Sequence, residues 1–227
     1  MKQVLIWDLP TRLFHWLLAA AITAAYFTGE NGGNWLVWHG RLGLFIVGLI
    51  IFRIIWGFGG STYARFRTFV RGPSTIKAYL AGQWTGLGHN PLGALSVLGL
   101  LGLISLQLTT GLFATNDDTG YAGPFYAMIS NSLGTLATRR HHKIFDLLGI
   151  LIGLHLAAVI YYGHFKKEKL LKPMITGHKE VSAGESARGG GLLAFTIALA
   201  IALAGVYVAS GEWIEKPPAV TQETPSW

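Results

Sequence analysis

The stretch HHKIFDLLGILIGLH, residues His141–His155, decides the fold. It begins and ends with histidine, and most positions between them are apolar. An α-helix turns by about 100° per residue, so His155 returns to within about 40° of the His141 face and lies about 21 Å further along the axis. Because the hydrocarbon core of a bilayer is about 30 Å thick, the spacing predicts two imidazoles on one face of a spanning helix, near opposite membrane surfaces.

The composition is that of a membrane protein. Of 227 residues, 51% are hydrophobic and 13% are charged, and the mean hydropathy is +0.43. That charged share is about half of what soluble domains carry. Eight tryptophans suit interfacial belts, and thirty glycines suit close helix approach within a bilayer. One membrane domain with four or five spanning helices is therefore predicted.

Several function classes are excluded by residues that the chain lacks. It has no cysteine, which rules out disulfides, covalently attached haem and iron–sulfur clusters held by this chain. No phosphate-binding loop, hydrolase elbow or aromatic–basic RNA motif is present, so the net charge of +7 is taken as evidence of topology and no nucleic-acid partner is expected.

The predicted fold class is all-α and integral to the membrane. Residues 1–180 are predicted to form a four-helix transmembrane domain, followed by a linker at 181–191, a fifth transmembrane helix within 192–212 and a flexible periplasmic tail at 213–227. Each apolar segment has close to the ~20 residues that a span needs. The predicted segments are Leu9–Thr28, Trp35–Trp56, Leu92–Ala114, Arg140–Gly163 and Leu192–Ser210.

The charges in the loops predict the orientation. The loop between the first two segments contains only the charge of Glu30, and the loop before the fourth contains Asp117 and Asp118. By the positive-inside rule, the N-terminus is predicted to be cytoplasmic and the C-terminus periplasmic, in a bacterial inner membrane. The first segment is expected to be retained and not cleaved as a signal peptide. The basic residues of the other two loops are Arg65, Arg67, Arg71, Lys77, Lys166, Lys167, Lys169, Lys172, Lys179 and Arg188.

Four histidines inside apolar segments are candidate ligands, because ionisable groups within a membrane usually have a function. Antiparallel packing of the first and fourth segments predicts that His15 pairs with His155 near the cytoplasmic side. His39 on the second segment is then predicted to pair with His141 near the outer side, whereas His142 lies about 140° away from the face of His155. We interpret the two pairs as bis-histidine sites for two non-covalent b-type haems, which favour electron transfer over oxygen activation.

Basic residues near the segment ends are candidate partners of the anionic haem propionates, with lipid headgroup contact as the alternative. His89 and His164 are candidates for lining a quinone pocket or for bonding a propionate. His178 and His142 are expected to be solvated and interfacial, respectively. The propionate candidates are Arg12 and Arg53 on the inner side and Arg41, Arg139, Arg140 and Lys143 on the outer side.

Several motifs resemble one known family. The opening WDLPTRLFHW (Trp7–Trp16), the stretch HGRLG (His39–Gly43) and GHNP (Gly88–Pro91) resemble helices of bacterial cytochrome b561 and of the related cytochrome b subunit of nickel–iron hydrogenase. The His141–His155 stretch and MITG (Met174–Gly177) fit the same resemblance, which extends over roughly residues 4–180. It implies a four-helix bundle with two b-type haems, whose ligands fall on the four histidines chosen above. The fifth segment lies outside that core.

The predicted function is transmembrane electron transfer between the quinone pool and a redox partner. The candidate redox partners are a periplasmic c-type cytochrome, a hydrogenase and a dehydrogenase. The chain is expected to contact membrane lipid, and a homodimer is a further candidate assembly. Whether the chain is itself a quinone oxidoreductase is left open. One alternative is a superoxide-oxidising quinone reductase, which the same resemblance allows; another is a haem-free transporter that relays protons through its histidines.

Overall fold

The computed structural model describes residues 1–214, which are mostly helical. Two short antiparallel strand pairs accompany the helices, β1 (Lys2–Leu5) with β4 (His178–Val181) and β2 (Thr115–Asn116) with β3 (Tyr121–Ala122). In chain order the helices are α1 (Leu9–Asn31), α2 (Trp35–Gly59), α3 (Phe66–Phe69), α4 (Pro73–Leu80), α5 (Pro91–Leu112), α6 (Asn131–His164), α7 (Leu171–Thr176) and α8 (Gly191–Ser210).

The start of α1 is fixed by its own sequence. The Oδ1 atom of Asp8 accepts a hydrogen bond of 2.7 Å from the backbone N–H of Thr11, which satisfies one of the free donors of the first turn. Pro10 occupies that turn, where its missing N–H costs nothing. The helix ends at Asn31 and is capped by Gly32, whose φ of +59° favours glycine. This entry into the membrane places His15 in the second turn of α1.

Helix α6 begins at Asn131, earlier than the predicted start at Arg140. Its 34 residues span about 51 Å, which exceeds the thickness of a bilayer core. The apolar pattern marks only the part in contact with lipid, so it missed the polar first turns. Those turns are stabilised by Thr138, which accepts from the backbone N–H of Thr115 at 2.9 Å and donates to its carbonyl at 3.1 Å.

Within the described residues, four helices are long and apolar enough to cross a membrane, namely α2, α5, α6 and α8. Helix α1 has 23 residues, but Arg12, His15 and Glu30 lower its mean hydropathy. Strand β1 precedes α1 and pairs with β4, which follows α6, so both lie at the same end of the bundle. Because α2, α5 and α6 are three crossings, a return to the same end requires α1 to cross as well.

The centre of the bundle is an apolar cluster at mid-height. Leu148 of α6 is 2% exposed and stands seven residues from both His141 and His155. Helix α1 packs along α2, and α5 packs along α6, whereas α6 has at most sparse backbone contacts with α1 and α2. The cluster therefore divides the space between these helix pairs into two halves. The half nearer β1 and β4 is called inner below and the other half outer, as labels that do not depend on orientation in the membrane. Its buried members are Phe14, Ala21, Ile46, Ile50, Ile104 and Leu148.

Helix α8 packs on the outside of α2 through small residues. Ala198 and Ala202 are 1% and 4% exposed and lie against Phe52 and Trp56 of α2. Small residues at this spacing let two helices approach closely in lipid. The predicted fifth span is thus part of the packed bundle, while residues 215–227, most of the predicted tail, lie outside the described residues.

The end of the bundle that carries both β1 and β4 is covered by a small cap. The register of the two strands pairs Lys2 with Val181 and Leu5 with His178. The predicted linker at 181–191 lies on this cap, since the backbone N–H of Ala187 donates to the Leu5 carbonyl at 2.7 Å. We call this the capped end.

Candidate metal centres: two histidine pairs

The pair nearer the capped end is formed by α1 and α6. The ring centroids of His15 and His155 are 6.5 Å apart, with an angle of 50° between the ring planes. Both side chains are half-buried, and the Nδ1 atom of His15 is shielded without a hydrogen-bond partner. The structure therefore brings together the two residues that the sequence predicted to face each other, with one polar atom unsatisfied.

The other pair lies at the opposite end, between α2 and α6. The ring centroids of His39 and His141 are 6.0 Å apart, and the ring planes are nearly perpendicular at 82°. Nδ1 of His39 donates to the Ala25 carbonyl at 2.8 Å, and Nδ1 of His141 donates to the Gln107 carbonyl at 3.0 Å. A proton fixed on Nδ1 leaves Nε2 as the atom with the lone pair, which is the arrangement that orients metal-bound histidines. In His141 this Nε2 accepts from the side-chain amide of Gln107 at 3.1 Å, so that amide must turn away for the ring to bind a metal.

Both spacings fit two imidazoles on one iron. A bond from a metal to a histidine nitrogen is about 2 Å, and the ring centre lies about 1 Å beyond that nitrogen, so two axial rings have centroids about 6 Å apart. The observed 6.5 Å and 6.0 Å agree with that value. Among residues 1–214 no group of three or more metal-ligating side chains is present, so the candidate centres are two-ligand sites.

Glycines make room for the outer rings. A Cβ added at Gly29 would lie 3.0 Å from Nδ1 of His39, and one added at Gly111 would lie 2.9 Å from Cε1 of His141. Both distances are shorter than ordinary contacts, so only glycine lets these imidazoles lie against α1 and α5. Gly43 lies one turn after His39, and a Cβ added there would have no atom within 4 Å, which leaves space for a flat cofactor.

Helix α5 has no histidine, but it contacts the ring of His141 directly. The Gln107 carbonyl orients His141, and the Gln107 side-chain amide lies 3.1 Å from Nε2 of the same ring. The Thr110 hydroxyl lies 3.3 Å from Nδ1. The sequence did not predict the carbonyl contact, because any residue type can supply a backbone carbonyl. The pairing of Gln107 and Thr110 with a glycine at 111 is the signal that α5 faces a bulky ring.

His142 lies outside the pair, as the helical phase predicted. Its side chain is exposed, and its ring centroid is 6.3 Å from that of its neighbour His141 in a T-shaped arrangement. The outer basic candidates Arg41, Arg139, Arg140 and Lys143 are exposed as well. Arg41 stacks over the Trp38 ring at 4.8 Å, which is a typical interfacial contact.

The inner basic candidates are more enclosed. Arg53 is 2% exposed, and its guanidinium carbon lies 5.2 Å from the centre of the Phe66 ring and 6.0 Å from that of Phe14. Arg12 is half-buried and donates through Nη1 to the Ile175 carbonyl, while its Nε has no partner. The inner end thus holds cationic donors that the protein itself does not satisfy.

The two candidate quinone residues lie in different surroundings. His89, just before α5, packs between Trp7 and Phe69 with ring centroids 4.5 Å and 4.7 Å away. Burial and then the charge of Arg53 lower the pKa of His89 to about 3, so its ring is neutral. His164 ends α6, is exposed and contacts the ring of Phe165. Trp7 and Phe69 were not predicted as site residues.

Curated proteins include distant relatives of the chain. It is 21% identical to a protein of Escherichia coli strain K12 named "Probable Ni/Fe-hydrogenase 1 B-type cytochrome subunit", with 79% of this chain and 92% of that protein covered. The protein of the same name from Escherichia coli O157:H7 matches to the same extent. No solved structure matches the chain.

A family model matches most of the bundle. Residues 6–177, which are more than half of the chain, match the model described as prokaryotic cytochrome b561. The matched range contains both histidine pairs and ends just after α7, so it excludes α8. The resemblance predicted from the sequence motifs is thereby confirmed. This chain belongs to the prokaryotic cytochrome b561 family.

Proposed function

We propose that this chain is a dihaem cytochrome of the bacterial inner membrane, which carries electrons between the quinone pool and a redox partner. Membership in the family implies haem b and membrane electron transfer. The observation that carries the proposal is the two facing histidine pairs, with ring centroids 6.5 Å and 6.0 Å apart, whose members on α6 are fourteen residues from each other. His15 with His155 and His39 with His141 are the proposed axial ligands.

Each part of the protein has a defined role in this proposal. Haem b supplies one-electron redox chemistry when bound. The carbonyls of Ala25 and Gln107 hold the outer imidazoles in the tautomer that ligates through Nε2. The apolar cluster around Leu148 keeps water out of the space between the two pairs. Arg12 and Arg53 are the proposed inner partners of propionate groups, with Arg41, Arg140 and Lys143 as the outer ones.

The number of electrons released by a quinol determines how many the redox partner must accept. Oxidation of one quinol to quinone releases two electrons and two protons, and the electrons leave one at a time to a one-electron acceptor. The reverse direction consumes the same numbers. The relative named as a hydrogenase cytochrome subunit supports a redox enzyme as the partner, and a periplasmic c-type cytochrome is the other candidate.

The proposed orientation puts the capped end in the cytoplasm. The loops at that end carry most of the basic residues, among them Arg65, Arg67, Lys172 and Lys179, and basic loops favour the cytoplasmic side. The N-terminus and the His15–His155 pair are then cytoplasmic, and the His39–His141 pair is close to the periplasm. His89 and His164 lie on the side where the quinone is proposed to react.

The proposal is tested by electron transfer across a sealed membrane. The purified protein is reconstituted into liposomes that contain ferricyanide, quinol is added outside, and ferricyanide reduction is recorded. We expect His15→Ala and His39→Ala each to abolish the reaction, because both pairs are steps of one relay. His142→Ala is the matched control and should transfer at the wild-type rate. Unchanged transfer in His39→Ala, or a colourless wild-type protein, would refute the dihaem relay.

A further inference from the structure

Arg53 occupies a special place on α2. It follows His39 by fourteen residues, the same interval that separates His141 from His155 on α6. At about 100° per residue, Arg53 therefore lies within about 40° of the His39 face and about 21 Å further along the helix. One face of α2 therefore carries His39 at the level of the outer pair and Arg53 at the level of the inner pair.

The guanidinium of Arg53 is buried without an ion-pair partner among the described residues. The residue is 2% exposed, its Nη1 has no hydrogen-bond partner, and no carboxylate of the described residues lies within ion-pair distance. Asp8 is engaged elsewhere, since its oxygens accept from the Thr11 N–H and from Nε1 of Trp56. The charge of Asp8 acts on Arg53 without forming an ion pair with it. A buried charge without a close partner is strongly unfavourable, so the guanidinium favours a further anion.

His89 provides a second unsatisfied atom in the same place. Its Nδ1 is shielded and has no partner. Phe69 contacts both residues, with its ring 5.9 Å from the Arg53 guanidinium carbon and 4.7 Å from the His89 ring. The Arg53 guanidinium carbon also lies 6.0 Å from the ring centre of Phe14, the residue before His15 on α1, so this cluster is near the inner pair. Two donors from different segments therefore converge beside one histidine pair.

We propose that Arg53 and His89 form a water-shielded carboxylate site that holds one propionate of the inner haem. This inference rests on the proposed function. Arg53 donates a charge-assisted hydrogen bond and neutralises the carboxylate, and neutral His89 donates from Nδ1. Trp7 and Phe69 clamp the His89 ring and exclude water. His89 is then a positioning residue of the haem site instead of a quinone ligand.

A carboxylate explains this site better than a quinone does. A quinone carbonyl is neutral, so it can accept a hydrogen bond but cannot balance the charge of a buried guanidinium. A carboxylate accepts from the planar fork of arginine and removes the unpaired charge at the same time. The two assignments therefore predict different ligands, which chemical modification of the haem can separate.

The test compares haem b with its dimethyl ester, in which both propionates are uncharged. The haem-free protein is used with His39→Ala, so that only the inner pair remains. Loss of a charge-assisted bond corresponds to about tenfold or more in affinity, so we expect the diester to bind about tenfold more weakly than haem b. Arg53→Met and His89→Phe should reduce or abolish that preference. Arg67→Met, at an exposed arginine of the same end, should keep it.

Unfolding supplies a readout that does not depend on haem affinity. Arg53→Met removes an unpaired buried charge, so the haem-free variant should unfold at the same temperature as the parent or higher, and the haem-loaded variant at a lower one. Undiminished preference for haem b in both variants would overturn the inference. So would a raised KM for quinol in His89→Phe with unchanged haem preference. Failure of the parent to bind any haem would instead refute the proposed function.

Discussion

Replacing Gly111 by alanine should displace the outer histidine ring by a known amount. The new Cβ would lie 2.9 Å from Cε1 and 3.2 Å from Nδ1 of His141. Because carbon atoms pack best at about 3.5–4.0 Å, the ring must move by about 0.6 Å or more. That movement acts on the 3.0 Å bond from Nδ1 to the Gln107 carbonyl, which fixes the tautomer of the ring.

The expected effect is on the outer haem alone. Overpacking of this kind costs about 1–3 kcal/mol, which weakens haem binding at the outer pair by about 5- to 150-fold. The assay is haem content at limiting haem, together with the low-spin ferric signals in electron paramagnetic resonance. We expect the outer signal to be lost or shifted and the inner signal to be unchanged.

Gly102→Ala on the same helix is the matched control. Gly102 is exposed, and a Cβ there would meet nothing within 4 Å, so both haems should be retained. Alanine is also up to about 1 kcal/mol more favourable than glycine in a helix, so neither variant should lose helical structure. If Gly111→Ala kept both haems with unaltered spectra, our assignment of the His141 ring to an iron would be wrong.

Three further predictions concern other parts of the chain. His141→Ala should lose one haem per chain while His142→Ala keeps two by pyridine haemochromogen assay, and the reverse result would refute the helical phase. Ala202→Leu should destabilise the α2–α8 contact by about 1–3 kcal/mol in thermal unfolding, because Ala202 is 4% exposed and a larger side chain has no room. Leu199→Ala, at a 41% exposed position, should not destabilise it, and equal effects of the two variants would contradict the packing. In the haem-free protein, the free energy of unfolding should fall as the pH drops below 6.5, by up to about 1.4 kcal/mol per pH unit. The reason is that the pKa of His89 is about 3 in the folded protein, so the unfolded chain binds the proton first. His89→Phe should remove that part of the pH dependence, and an identical slope in the variant would contradict the burial of this ring.

The helical membrane fold was predictable because it depends on patterns that a sequence displays directly. Apolar runs such as 35–56 have the length of a span, and they are long helices in the structure. Family membership was predictable from motifs such as WDLPTRLFHW for the same reason. The 14-residue spacing on α6 also predicted which rings would face each other, and the observed centroids are 6.5 Å and 6.0 Å apart. Their role as iron ligands stays a prediction.

Other features depend on distant parts of the chain and were not predictable. The capped end forms because β1 pairs with β4 across more than 170 residues, and neither four-residue strand has a strong pattern of its own. The surroundings of Arg53 come from Phe14 of α1 and from Phe66 and Phe69 of α3, so they depend on two helices other than its own. The early start of α6 was missed because polar turns outside the membrane carry no apolar signal.

The neighbour of α8 in the bundle was not predictable from the sequence either. Its sequence predicted a spanning helix but not its neighbour, because its apolar residues are distributed around the whole helix. Contact with α2 is decided by the fit of Ala198 and Ala202 against Phe52 and Trp56. Shape complementarity of this kind is a property of two surfaces, which neither segment shows alone.

The most direct test of the account is the number and ligation of haems in the purified protein and in two ligand variants. We predict two haem b per wild-type chain with two distinct low-spin ferric signals. His15→Ala should remove one signal and His39→Ala the other. A preparation without haem, a single haem per chain, or loss of the same signal in both variants would contradict two histidine pairs that each hold one iron.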